Sequence, residues 1–107
     1  DPQGALERAC ARLVALSEAK GQGPHLRLTC CFSDGETLYA VRYASDDLAP
    51  SLWHRWSDTR GGRAVVSEPL EADEGDWEQI PQGSFCLFHG QSVEIRPFAP
   101  RALQQAA

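Results

Sequence analysis

The chain has no apolar run approaching the roughly 20 residues that a membrane-spanning helix needs. No basic-then-apolar segment opens it. It also lacks a basic excess: 10 Lys and Arg stand against 15 Asp and Glu, for a formal net charge of -5. A nucleic-acid backbone demands a basic face, so neither nucleic acid nor a membrane is an expected partner. The four cysteines and three histidines show neither Cys-x-x-Cys nor His-x-x-x-His spacing. That excludes the common zinc patterns, and no metal or cofactor is expected. Internal repeats and low-complexity segments are missing as well.

What is present is an ordinary globular composition. The 107 residues are 42% hydrophobic and 23% charged, enough for one domain or part of one. A chain of this size buries roughly two-thirds of the surface it exposes when unfolded. Cys10 lies in a helical pattern, Cys30 and Cys31 are adjacent, and Cys86 sits in an apolar strand pattern. Adjacent strand residues point to opposite faces. The irregular spacing reads as reduced thiols in a cytoplasmic protein rather than a disulfide framework.

Asp1-Pro2 marks a helix start, with Asp1 as the cap and proline at the first helical position. Leu6, Ala9, Cys10, Leu13 and Leu16 recur at three- and four-residue spacing and predict one apolar helical face. Gly21, Gly23 and Pro24 end the helix and form a linker. From His25 the period becomes two. Leu26, Leu28, Cys30 and Phe32 alternate with polar residues, and Ser33-Asp34-Gly35-Glu36 carries a tight-hairpin signal. The return strand places Leu38, Ala40 and Arg42 on one face and Tyr39, Val41 and Tyr43 on the other.

Residues 45–50 read as a loop. Leu52-Trp53-His54-Arg55-Trp56 predicts a short strand anchored by its two tryptophans. Residues 57–62 are turn-like, and Arg63 to Ser67 is a short apolar strand whose ladder Pro69 ends. Residues 71–76 are an acidic loop with Trp77 as its plug. Phe85–Phe88 and Val93–Ile95 predict a second hairpin around Gly90, and the tail after Pro97 reads as irregular and frayed.

One helix and about six mostly antiparallel strands predict an α+β fold. The strands carry apolar residues on both faces, and a single helix covers only one. The other face needs a second sheet, which the strand count looks too small to supply. The chain therefore reads as a half-domain.

Few residues invite a mechanism. Ser67-Glu68 has no histidine nearby in sequence and reads as a strand-end cap with an anchoring carboxylate. Arg42 is expected either to pair with a carboxylate such as Glu68 or to point into a pocket from its wall. His25 beside Cys30 and Cys31 has no zinc spacing. Cys10 with His54, or Cys86 with His89, would be nucleophile pairs, but one thiol is helix-buried and the other pair does not share a strand face. Trp53, Trp56 and Trp77 read as core plugs.

The series helix, strand, Ser33-Asp34-Gly35, Leu38-Tyr39-Ala40-Val41-Arg42-Tyr43, Ser51-Leu52-Trp53, Val65-Val66-Ser67-Glu68-Pro69-Leu70, Trp77 and Pro81-x-Gly83 resembles the C-terminal half of bacterial class II glutamine amidotransferases. Within that family it is most similar to small stand-alone bacterial members and to the γ-glutamyl hydrolase of ergothioneine biosynthesis. The resemblance spans residues 1–98, leaving 99–107 as an irregular tail. It implies part of a four-layer αββα sandwich in the N-terminal-nucleophile class. There a first-residue cysteine attacks a glutamine-type amide with its own α-amino group as base, and an Asn-Gly segment helps to stabilise the oxyanion. It also implies that the N-terminal half of the same domain is the partner and that a small-molecule amide is the substrate.

No catalytic residue of the family maps onto this sequence, which begins Asp1-Pro2-Gln3 and contains no asparagine. Arg42, Ser67 and Glu68 remain as pocket-wall candidates. Two function classes stay open: a portion of a glutamine amidotransferase or γ-glutamyl amide hydrolase, or a self-contained β-rich binding module without catalysis.

Overall fold

The computed structural model describes residues 1–19, 21, 26–69 and 76–100. The predicted linker at Gly23-Pro24, His25, the acidic loop at 71–75 and the end of the tail at 101–107 lie outside the described residues. The elements are α1 (Pro2–Ala19), β1 (Arg27–Ser33), β2 (Leu38–Ala44), β3 (Trp53–Ser57), β4 (Gly62–Val66), β5 (Glu78–Gln79), β6 (Ser84–His89) and β7 (Ser92–Pro97). One sheet has the order β1-β2-β6-β7 and the other β4-β3-β5, with every pairing antiparallel. This is the α+β fold that the periodicities imply.

The period-two pattern of β2 sorts the interior into two clusters. Tyr39, Val41 and Tyr43 face the helix and pack with Cys10, Phe85 and Phe98, with Leu28, Cys30 and Phe32 of β1 joining them. Ala40 faces the second sheet and packs with Leu52, Ile80, Cys86 and Phe88, with Leu38 and Val65 beside them. The chain thus supplies a second sheet of its own, contrary to expectation. The two-residue β5 is too short to stand out in the sequence, whereas β3 and β4, joined by a turn at Gly61 (φ +64°), are the short strands expected at 52–56 and 63–67.

Four local expectations change. The Asp34-Gly35 turn is a four-residue loop, because Ser33 and Leu38 are the last paired residues. Gly35 has the expected positive φ, +98°. Asp34 organises the loop: its Oδ1 accepts from the main-chain N–H of Glu36 at 2.9 Å and of Thr37 at 2.8 Å, and its Oδ2 accepts from the Tyr39 hydroxyl. The two-residue loop belongs instead to the second hairpin, at Gly90-Gln91.

The helix buries Cys10, Ala11 and Val14, whereas Leu13 and Leu16 are 52% and 47% exposed. The buried face is rotated because Gln3 and Glu7, both polar, lie on it. Gln3 Nε2 donates to the Pro97 carbonyl at 2.9 Å, and Glu7 Oε2 accepts from Ala99 N–H at 2.7 Å. Partners more than 90 positions away leave no trace in a local period. The same bonds hold the segment after Pro97, so its predicted fraying is wrong for residues 98–100. Phe98 is a core residue, stacked on Phe85 and edge-on to Tyr43. The tryptophans are not core plugs either: Trp53, Trp56 and Trp77 are half-buried, while Leu52, just before β3, and His54 within it are buried.

Candidate functional site

Arg42 sits on the second-sheet side of β2 and does not pair with Glu68. Its guanidinium donates to three carbonyls: Pro50 through Nε at 2.9 Å, Ile80 through Nη1 at 2.6 Å and Ala49 through Nη2 at 3.2 Å. A planar fork of five donors suits this task, because oxygens from two chain segments converge on one half-buried cation. The surrounding main chain is braced around it. Arg42 O accepts from Gly83 N–H, Ile80 N–H donates to Leu52 O, and Ala49 N–H donates to the Gln82 side chain.

Ser67 joins this end of the molecule indirectly, its carbonyl accepting from the Ser51 hydroxyl at 2.9 Å. Glu68 is exposed. The structure therefore gathers Arg42 and Ser67 around the 49–52 loop without direct contact and leaves Glu68 outside. Within the described residues this group joins main chain to main chain, the Arg42 cation satisfying carbonyls from two segments.

The thiol–imidazole pairs are separated by the fold. Cys10 lies in the helix-side cluster and His54 in the layer across the first sheet. Cys86 faces the second sheet, and His89, three residues on, points to the other face, where its Nδ1 is 3.5 Å from the Thr37 hydroxyl. Burial pushes the Cys86 thiol up to about 11 and also raises Cys10 and Cys30. A thiol held protonated in this way is a poor nucleophile. All four cysteines are free. Among the described residues no group of three or more His, Cys, Asp or Glu is placed to hold a metal.

The least expected polar cluster centres on His54, which is only 3% exposed. Its ring packs 4.9 Å from that of Phe88, and Arg63 lies over the same phenylalanine at 4.9 Å. Arg63 Nη1 donates to His54 Nδ1 at 2.9 Å, so the imidazole is neutral with its proton on Nε2, 3.8 Å from a Glu78 oxygen. Burial, and then the Arg63 charge, hold the ring below its ordinary 6.5, against a weaker pull from Glu78. Beside it an open cleft of about 260 Å³ is lined by Ser33, Thr37, Leu38, Trp56, Arg63 and Phe88, among others. The signal was present in the sequence. Alternation from Leu52 puts His54 and Trp56 on the inner face of β3, and alternation from Val65 puts Arg63 on the inner face of β4.

No family model matches the chain. No curated protein matches it. A solved structure from Silicibacter pomeroyi, described as a glutamine aminotransferase class-II domain protein, superposes with a TM-score of 0.86 at 55% identity, covering 94% of this chain. That likeness supports the class II glutamine amidotransferase family. The match covers 45% of the Silicibacter protein, so this chain spans less than half of that relative's length. The described residues form three layers, helix on sheet on sheet, consistent with part of a four-layer αββα arrangement. Among them, no helix is long and apolar enough to cross a membrane.

Proposed function

We propose that this chain is a portion of a class II glutamine amidotransferase or γ-glutamyl amide hydrolase. The observation that carries the reading is 55% identity across 94% of the chain to a class II domain protein. In this reading an N-terminal cysteine outside these 107 residues attacks a glutamine-type amide, releasing ammonia or an amine. The N-terminal half of the same domain contributes that nucleophile and the oxyanion donors. The present chain contributes the scaffold: one outer helix, both sheets in part, and the carbonyl clamp of Arg42 at one end of them. Four free cysteines suit the reducing, cytoplasmic setting that belongs to the same proposal.

The test is to express the full polypeptide encoded by this reading frame and measure amide hydrolysis on glutamine and on a γ-glutamyl amine. Release from either substrate, abolished when the first-residue cysteine is replaced by alanine, supports the reading. Release from neither overturns it.

A second reading, a self-contained β-rich binding module, is favoured by one observation: the chain supplies its own second sheet and closes an apolar cluster beneath it. A monomer that unfolds cooperatively and binds little hydrophobic dye would support the module. Self-association of the bare chain would count against it.

A further inference from the structure

The interior of the first sheet stops abruptly at β7. Along one row facing the second sheet, Ala40 and Cys86 are 0% exposed and their neighbour Ile95 is 46% exposed. Along the next row Phe88 is 3% exposed and its neighbour Val93 is 42% exposed. Apolar side chains that continue a buried row into solvent mark a cut core rather than a finished surface. The second sheet does not cover them. The second sheet packs on β6 through His54 and Arg63 against Phe88, and Arg63 Nη2 donates to the Gln91 carbonyl in the turn at 3.4 Å.

The backbone is open at the same two residues. His89 and Ser92 flank the two-residue loop, which makes them a hydrogen-bonded pair, and such pairs then alternate along the hairpin. The bond from Phe98 N–H to Gly83 O at 2.8 Å, beyond the far end of the ladder, fits that alternation. Ser92, Glu94 and Arg96 therefore turn their main-chain groups toward β6. Val93, Ile95 and Pro97 turn theirs outward. Pro97 has no N–H, and its carbonyl already accepts from Gln3 of the helix. Val93 and Ile95 are left with outward N–H and C=O groups on a strand without a bulge, an inward charge or a covering loop among the described residues. On the opposite face Glu94 and Arg96 pair with each other, and Gln3 Oε1 accepts from Arg96.

We propose that the β7 edge receives an additional antiparallel or parallel strand from the remainder of the same polypeptide, pairing through Val93 and Ile95. The occupant follows from length: the structurally similar Silicibacter protein has more than half of its chain outside the matched region. A covalently linked segment also meets the edge at far higher effective concentration than a second copy does. The incoming strand has a required pattern. Residues beside Val93 and Ile95 are apolar and extend the core between the sheets. Residues on the Glu94–Arg96 side are polar. The inference rests on the reading that this chain is one part of a longer domain, and it adds where and how the parts join.

Backbone amide exchange, resolved by NMR, tests it on this chain and on the full polypeptide from the same reading frame. In the bare chain the Val93 and Ile95 amides exchange freely, while those of Ser92, Glu94 and Arg96 are protected. In the full polypeptide Val93 and Ile95 slow by at least about 100-fold. Unchanged exchange at both residues overturns the proposal. Concentration-dependent protection in the bare chain, lost on dilution, assigns the edge to a second copy and overturns the stated occupant. Ile95→Lys gives a second check, because it leaves the thermal midpoint of the bare chain within about 2 °C and lowers that of the full polypeptide by more. Equal shifts in the two contradict the proposal. A protected edge in a polypeptide that hydrolyses no amide supports the joint and overturns only the amidotransferase reading. Amide hydrolysis with an unprotected edge overturns the joint alone.

Discussion

Arg42 commits its guanidinium to main-chain oxygens from residues 49, 50 and 80, and so ties the loop before β3 to the chain after β5. Hydrogen bonds to a charged donor contribute about 1.5–3 kcal/mol each when buried, and these are only partly so. Arg42→Met is expected to cost about 2–4 kcal/mol in a urea titration, with no effect confined to substrate binding. Gly35 makes a narrower claim. Nothing lies within 4 Å of a Cβ added there, so Gly35→Val meets only the cost of φ +98°. That cost is expected to be about 1–3 kcal/mol, and an unchanged thermal midpoint would contradict the loop geometry.

His54 adds a pH dependence. Its folded ring holds a proton less tightly than the ordinary 6.5, so the unfolded chain binds that proton first as the pH falls. The contribution is fully present above about pH 6.5 and declines below it, until the folded ring itself protonates. Urea midpoints measured between about pH 7.5 and pH 5 should fall with acidification, and His54→Gln should flatten the slope. His54 was missed as a site because a lone histidine in a tryptophan-flanked strand carries no spacing signal. Only the alternation of two separate strands brings it to Arg63.

At the scale of the elements, the first hairpin, the second hairpin and the two-faced β2 were legible because period-two alternation survives without tertiary context. The helix was legible in extent and misread in orientation. Leu13 and Leu16 made its best apolar stripe, yet Gln3 and Glu7 rotate the buried face by bonding to residues 97 and 99. Phe98 was dismissed with the tail for the same reason: its partners Tyr43 and Phe85 are distant in sequence. Phe98→Ala is expected to cost about 3–5 kcal/mol, as for other buried phenylalanines. A loss under about 1 kcal/mol by denaturant titration would show that the 97–100 segment is peripheral after all.

At the scale of the molecule, the family series was legible as an ordered set of weak motifs, and the structural match to a class II domain protein supports it. Among the pocket-wall candidates, Arg42 and Ser67 bond to the same loop and Glu68 is exposed. Nothing in the composition of a half-buried arginine distinguishes a carbonyl clamp from a carboxylate grip, because both ask for the same fork of donors.

The central claim is a division of labour in which these 107 residues supply scaffold and another part of the polypeptide supplies the nucleophile. Ammonia release from glutamine under reducing conditions tests it most directly, with the purified chain and the full polypeptide assayed side by side. The account predicts no turnover by the chain alone and turnover by the full polypeptide. Turnover by the chain alone that disappears in Cys10→Ser or Cys86→Ser would contradict it.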